Sequence, residues 1–282
     1  MSAPAALARL ALAVLFTALV AGPCLLLALL ERCGARRTGM RLLARLQSVW
    51  SRVVLRLLGF ELVVEGEGGD AAHAAPAIVC ANHLSHIDIL VLGAVFPSRF
   101  VGKSEIRSWP VIGTLAALAG TLFIRRGDRQ DVPRVVGELH DTLAAGVSVS
   151  FFPEGWASRG LRVRRFHAGL FEAAVAAGAP CLPVTLGYAT PPGTAAPAWT
   201  VAWWGPVPIV RHTLRMMREG PVRATVRFPA APLFGKDRKE LAERLQAEVA
   251  ARFEPLRQEP VPPPLPGDPA PDEGRDILSD KH

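Results

Sequence analysis

Apolar positions along this chain follow two regimes. From Leu10 to Leu30 there is no charged residue, and at about 1.5 Å per residue that run reaches across a hydrocarbon core of ~30 Å. Gly22-Pro23 interrupts it, which leaves a kinked span and a re-entrant hairpin both open. Met40 to Leu58 then places Leu42, Leu43, Leu46, Val49, Trp50, Val53, Val54 and Leu57 at helical spacing, with Arg41, Arg45, Arg52 and Arg56 between them. This is a basic amphipathic helix suited to a lipid interface, with packing on the core as the plainer alternative. From residue 61 short apolar runs alternate with helical stretches. Strands are expected at 61–65, 77–81, 99–102, 121–125, 147–152, 181–186 and 224–228, and helices at 86–95, 108–118, 132–145, 168–177 and 237–253. Strands separated by helices of this length predict an α/β domain whose central, mostly parallel sheet is flanked by helices, behind an N-terminal membrane-associated helical segment. Thr190 to Pro208 has no clear period and reads as a loop. The stretch after Glu254 is proline-rich with little to bury, and reads as disordered. The expected organisation is therefore an anchor with its amphipathic helix over 1–58, an α/β domain over 59–254, and a tail over 255–282.

Charge sharpens the first regime. Only Arg9 precedes the apolar run, whereas Arg32, Arg36, Arg37, Arg41 and Arg45 follow it. That asymmetry favours a retained anchor over a cleaved signal peptide and puts the downstream side in the cytoplasm. A net charge of +7 on a chain that is half apolar points to an anionic membrane surface. Nucleic acid is not expected as a partner, because there is one tyrosine and no interleaving of aromatic with basic residues. Cys24, Cys33, Cys80 and Cys181 lack metal-type or disulfide-type spacing and read as reduced thiols.

The densest chemistry lies at Asn82-His83-Leu84-Ser85-His86-Ile87-Asp88, directly after the second expected strand. His83 and Asp88 are five apart, about 140° around an ideal helix, so they meet only if the chain turns from strand to helix between them. A carboxylate on one ring nitrogen would fix the tautomer and support the imidazolium as the other nitrogen takes a proton. The plainer reading makes Asp88 a helix cap and leaves both histidines on the surface. Thr121 to Arg126 is a strand ending in two arginines, which suit phosphate geometry. Phe151-Phe152-Pro153-Glu154-Gly155 stops a buried strand at proline and sets a carboxylate beside a glycine that permits a sharp turn. Pro183 inside the strand Cys181-Leu182-Pro183-Val184 marks an edge, a bulge or a cleft wall.

In this order, Asn82-His83-x4-Asp88, Gly120-x2-Phe123-Ile124-x-Arg126, Phe152-Pro153-Glu154-Gly155 and Leu182-Pro183-Val184 resemble the glycerolipid acyltransferase family, whose best-known members act on 1-acylglycerol-3-phosphate. The resemblance covers roughly residues 75 to 230. It implies that His83 is the general base for the acceptor hydroxyl and that Asp88 orients it. It assigns acceptor headgroup binding to Arg126 and Glu154, has Gly155 shape the turn, and lets Pro183 wall the cleft. The acyl donor would be acyl-CoA or acyl-carrier protein, the acceptor a lysolipid, and no cofactor or metal is needed. One departure is Trp156-Ala157, where phosphate-binding members commonly have Thr then Arg. Either Arg159, Arg162 or Arg165 supplies the missing cation, or the acceptor is another lysolipid such as lyso-ornithine lipid. A second departure, His86 beside His83, raises a His83/His86/Asp88 metal cluster as a minor alternative. A non-catalytic lysolipid-binding or membrane-shaping protein is the reading from another class, and a hydrolase a third. No G-x-S-x-G elbow supports the hydrolase.

Overall fold

A computed structural model describes residues 3–66, 75–125, 128, 130–205 and 207–261. The expected strands all form: β1 (Phe60–Glu65), β2 (Ile78–Ala81), β3 (Ser98–Lys103), β4 (Leu122–Ile124), β5 (Ser148–Phe151), β6 (Cys181–Ala189) and β7 (Val222–Arg227). They make one sheet in the order β1-β7-β6-β2-β5-β3-β4. Every neighbouring pair is parallel except β6 with β7, which is antiparallel. All four residues of β2 are buried, because both faces of the sheet are covered. Val79 and Ala81 look into one apolar core, while Ile78 and Cys80 look into the other. A strand buried on both sides needs a continuous apolar run rather than an alternating one, and Ile-Val-Cys-Ala supplies it.

On the first face lie α1 (Ala3–Arg32), α2 (Arg36–Leu58) and α3 (Asp88–Val95). The second face is covered by α5 (Asp131–Ala144), α6 (Glu172–Ala177) and α9 (Arg238–Ala251), with Val135, Leu139, Leu241, Leu245 and Val249 at its centre. The short α4 (Ile112–Leu118) precedes β4, and α7 (Pro197–Thr200) and α8 (Ile209–Glu219) precede β7. So the segment expected to be a loop contains one short helix, and a further helix follows it. Helix α8 presents His212, Arg215, Met216 and Met217 inward. Two of those four are polar, so no apolar stripe announced the element.

Helix α1 runs unbroken through Pro23. Over Pro4–Glu31 it is long and apolar enough to cross a membrane, by length and composition, and little of that stretch is buried. Ala6, Ala13 and Cys24 face the protein, while Leu7, Leu12, Leu15, Leu19, Leu26 and Leu29 face outward. Helix α2 differs from a helix lying on lipid. Its Leu43, Val54, Leu55 and Leu58 are buried, packed by α1 and α3, and Ser48 Oγ and Arg52 Nε donate to the Ala94 carbonyl that ends α3. Most of its apolar face is consumed within the protein. The far boundary also moves. Residues 255–261 run along the domain, with Leu256 buried and its N–H on the Gly160 carbonyl at 2.8 Å. The Trp199 indole donates to the Gln258 carbonyl. The remainder of the expected tail, 262–282, lies outside the described residues.

Candidate functional site

Strands β2, β5 and β6 are adjacent and two of their connections leave from the same sheet edge, so Asn82, Glu154 and the end of β6 converge. Ligands of open α/β sheets bind outside the carboxyl ends of the strands. Asn82 extends the β2–β6 ladder through its side chain: Nδ2 donates to the Leu186 carbonyl at 3.0 Å and Oδ1 accepts the Leu186 N–H at 2.7 Å. That clasp pins the start of the turn from strand to helix. Asp88, first residue of α3 and fully buried, reaches back across the turn. Its Oδ2 accepts from Leu84 N at 2.6 Å, Ser85 N at 2.9 Å and His83 Nδ1 at 2.8 Å. The expected strand-to-helix bend is therefore what brings imidazole and carboxylate together.

Because a carboxylate only accepts, Nδ1 carries the hydrogen, and in the neutral ring the lone pair falls on Nε2. The imidazole stacks on Phe152 at 4.2 Å between centroids and 11° between planes. Its side chain remains 18% exposed, enough for a reactant to reach it. The other Asp88 oxygen accepts from Tyr188 Oη at 2.6 Å. Burial and the adjacent Asp88 carboxylate raise the Tyr188 phenol well above its ordinary range, which keeps it a donor. Tyr188 is the single tyrosine of the chain, and sequence reasoning passed over it. Removing its hydroxyl leaves Asp88 Oδ1 buried without a donor. Tyr188→Phe is expected to cost about 1.5–3 kcal/mol in thermal unfolding, the range for a hydrogen bond to a charged group. Turnover should fall with it, since Asp88 then holds the imidazole less firmly.

Glu154 approaches from β5. Oε1 accepts the His83 N–H at 3.2 Å, and the side chain is 3% exposed with Oε2 buried and unpartnered. Burial pushes its carboxyl up to about 8, against the pull of the His83 and Arg164 backbone N–H groups. It is thus a neutral acid near pH 7. Gly155 follows with φ +83° and closes a turn onto the Phe152 carbonyl, the conformation for which glycine is suited. The next loop returns to the site, where Ser158 N donates to the His83 carbonyl at 2.9 Å.

The remaining expected residues fall less simply. Arg126 lies outside the described residues, although β4 delivers its neighbour Arg125 to this edge of the sheet. The Arg159 guanidinium rests on an indole pair, 4.4 Å from Trp199 and 5.3 Å from Trp204, with Nε buried and unpartnered. Pro183 sits in a central strand, contrary to the expected edge or bulge, and pairs with Cys80 below the level of the site. Alternation along β6 aims its missing N–H to the side that Cys181 N uses toward Leu233. There β7 joins only from Thr185 onward, so no ladder bond is lost. His86 turns away from His83. Its Nε2 meets Thr213 Oγ1 at 3.2 Å and its ring lies edge-on to Trp203 and His212. Burial, with the neighbouring imidazoles of His212 and His83, pushes it well below the ordinary histidine range. The three side chains of the conceived metal cluster therefore do not converge, and among the described residues no such group of ligands occurs.

Comparison with known proteins fits this geometry. Residues 63–187 match the family described as Acyltransferase. The 1-acyl-sn-glycerol-3-phosphate acyltransferase of Neisseria meningitidis serogroup B is 36% identical over 181 residues, 64% of this chain and 70% of that protein. The lyso-ornithine lipid O-acyltransferase of Pseudomonas aeruginosa is 36% identical over 219 residues, 77% of this chain and 80% of that one. Among solved structures, the 1-acyl-sn-glycerophosphate acyltransferase of Thermotoga maritima superimposes with a TM-score of 0.56 at 21% identity, covering 86% of this chain and 95% of that one. At that identity the likeness establishes the fold.

Proposed function

This chain belongs to the acyltransferase family, and from that premise we propose that it moves an acyl chain from an acyl thioester to the free hydroxyl of a lysolipid. The observation that carries the reading is the His83–Asp88 pair, with Nδ1 occupied and Nε2 on the exposed side of the bond network. Nε2 takes the proton of the acceptor hydroxyl as its oxygen attacks the thioester carbonyl. The C–S bond of the tetrahedral intermediate then breaks. The departing thiolate, of CoA or of acyl-carrier protein, recovers the proton from the imidazolium. Asp88 stabilises that cation without itself being protonated. No acyl-enzyme forms, and bringing two bound reactants together supplies much of the rate.

Glu154, Arg126 and Arg159 bind the acceptor head, with Gly155 setting the approach of the chain. The first acceptor is 1-acylglycerol-3-phosphate, giving phosphatidate. A second reading, lyso-ornithine lipid, draws on Trp156. Its indole is partly exposed beside Gly155 with the Lys103 ammonium 2.9 Å from the ring centroid, and Ala157 brings no charge. The Lys103 ammonium already covers that indole, so an ornithine head would meet the pair through its carboxylate. The enzyme works at the inner membrane, its α/β domain on the cytoplasmic side with α1 in the bilayer.

Purified full-length protein in vesicles, given a labelled acyl thioester with each acceptor in turn, tests the proposal. Thioester consumption is expected to depend on the acceptor, and the labelled product, phosphatidate or ornithine lipid, names it. No consumption with any acceptor would favour the silent lysolipid binder. Free fatty acid released without acceptor would favour the hydrolase.

A further inference from the structure

Between β3 and β4 the chain adopts a conformation that the sheet does not require. Ile112 N donates to the Pro110 carbonyl at 2.7 Å, closing a three-residue turn around Val111, whose φ of 64° and ψ of −59° define the strained hand of that turn. A β-branched residue at positive φ is a genuine outlier. Its side chain is not spent on packing, for Val111 is 70% exposed and Trp109 39%. The turn is nonetheless firmly built. Gly113 N donates to the Trp109 carbonyl at 2.9 Å, and a Cβ on Gly113 would overlap the carbonyl oxygens of Arg107 and Ile106. A rigid strained loop therefore holds an indole, a proline and a valine outward.

What surrounds the tip identifies its partner. Helix α4, which begins at this turn, packs against α1, whose Leu12, Leu15 and Leu19 form part of a long exposed apolar face. Arg107, two residues before Trp109, lies 5.7 Å from the ring of Phe123 on β4. An arginine leading into a tip of tryptophan, proline and valine suits the depth at which acyl chains give way to headgroups. Continuity with α1 favours a bilayer over a protein groove.

We propose that Trp109-Pro110-Val111 is a membrane-inserting wedge, which dips below the headgroups beside α1 and seats the β4 side of the site at the lipid surface. The acceptor can then reach His83 without leaving the interface.

The test uses the full chain with Cys33→Ser, since Cys24, Cys80 and Cys181 are buried. An environment-sensitive dye is placed on Val111→Cys, and separately on Leu19→Cys of α1 and Glu243→Cys of α9. Each protein is reconstituted in phosphatidylethanolamine–phosphatidylglycerol vesicles with and without brominated acyl chains. The dye at 111 should be quenched as the one at 19 is, while the dye at 243 stays bright. A dye at 111 that stays as bright as the one at 243 overturns the proposal, whatever happens at 19. Val111→Asn provides a second arm, because asparagine accepts positive φ and keeps the turn while removing its apolar tip. Transfer to a long-chain acceptor in vesicles should fall about tenfold, and transfer to a short-chain acceptor dissolved as monomers should stay within about twofold, the scale of one aliphatic side chain lost from an apolar phase. Equal loss on both acceptors also overturns it. Absence of transfer by the wild-type chain would remove the acyltransferase reading and leave the quenching result to stand alone.

Discussion

Replacing His83 with alanine should lower acyl transfer about 10³-fold, inside the 10²–10⁴ range of a positioned general base. The fold should survive, since the ring is partly exposed and stacks on one neighbour. Asp88 needs a gentler change. Alanine there would orphan three buried donors at once, Leu84 N, Ser85 N and Tyr188 Oη, and free the partly buried His83 Nδ1 as well. At about 1–3 kcal/mol each, that approaches the whole stability of a domain. Asp88→Asn keeps the shape and an accepting oxygen while removing the charge that supports the imidazolium. We expect it to fold and to lose about 10²–10⁴ in turnover. Thioester release against acceptor concentration, with a melting curve for each variant, checks both. His83→Ala turning over like the wild type would end the general-base mechanism.

The second large effect concerns pH and Glu154. Its carboxyl rises from an ordinary 4.5 to about 8 in the folded chain. Between those values the folded protein holds a proton that the unfolded chain has released, so stability falls as pH rises. The contribution is fully present below pH 4.5 and gone above about 8. At 1.36 kcal/mol per pH unit the loss is of the order of a few kcal/mol. Glu154→Gln imitates the protonated acid, retains an acceptor for His83 N, and has nothing to ionise. Denaturant unfolding of both proteins across that interval should show the wild type losing stability relative to the variant as pH rises. Parallel curves would mean that Glu154 ionises in the folded protein as it does in water.

What the sequence revealed of this site depended on how local the geometry is. His83 and Asp88 could be paired on paper because five residues exclude a helical contact and a bend restores it. The proline and glycine around Glu154 showed only a carboxylate at a turn that ends a strand, and the family resemblance was needed to assign it to the acceptor head. Tyr188 was not legible: it lies a hundred residues from Asp88, and only the β2–β6 pairing brings it close. Pro183 was legible only as an edge, a bulge or a cleft wall, since tolerance of proline in a central strand depends on a gap between Leu233 and β7 that no local pattern encodes. Helix α8 hid because its inner face includes His212 and Arg215. The central strands β2 and β6 were legible with small boundary shifts because burial on both faces leaves mostly apolar runs, while β1, β3 and β7 mix buried with more exposed positions.

The way α2 is used has a practical side. Sandwiched between α1 and α3, it is part of the wall of the catalytic domain and no mere tether. Expression of a protein shortened to begin at Gly59 would therefore yield an enzyme missing one side, with bare greasy surface behind its base. Detergent or lipid suited to the intact chain is the practical route to purified material.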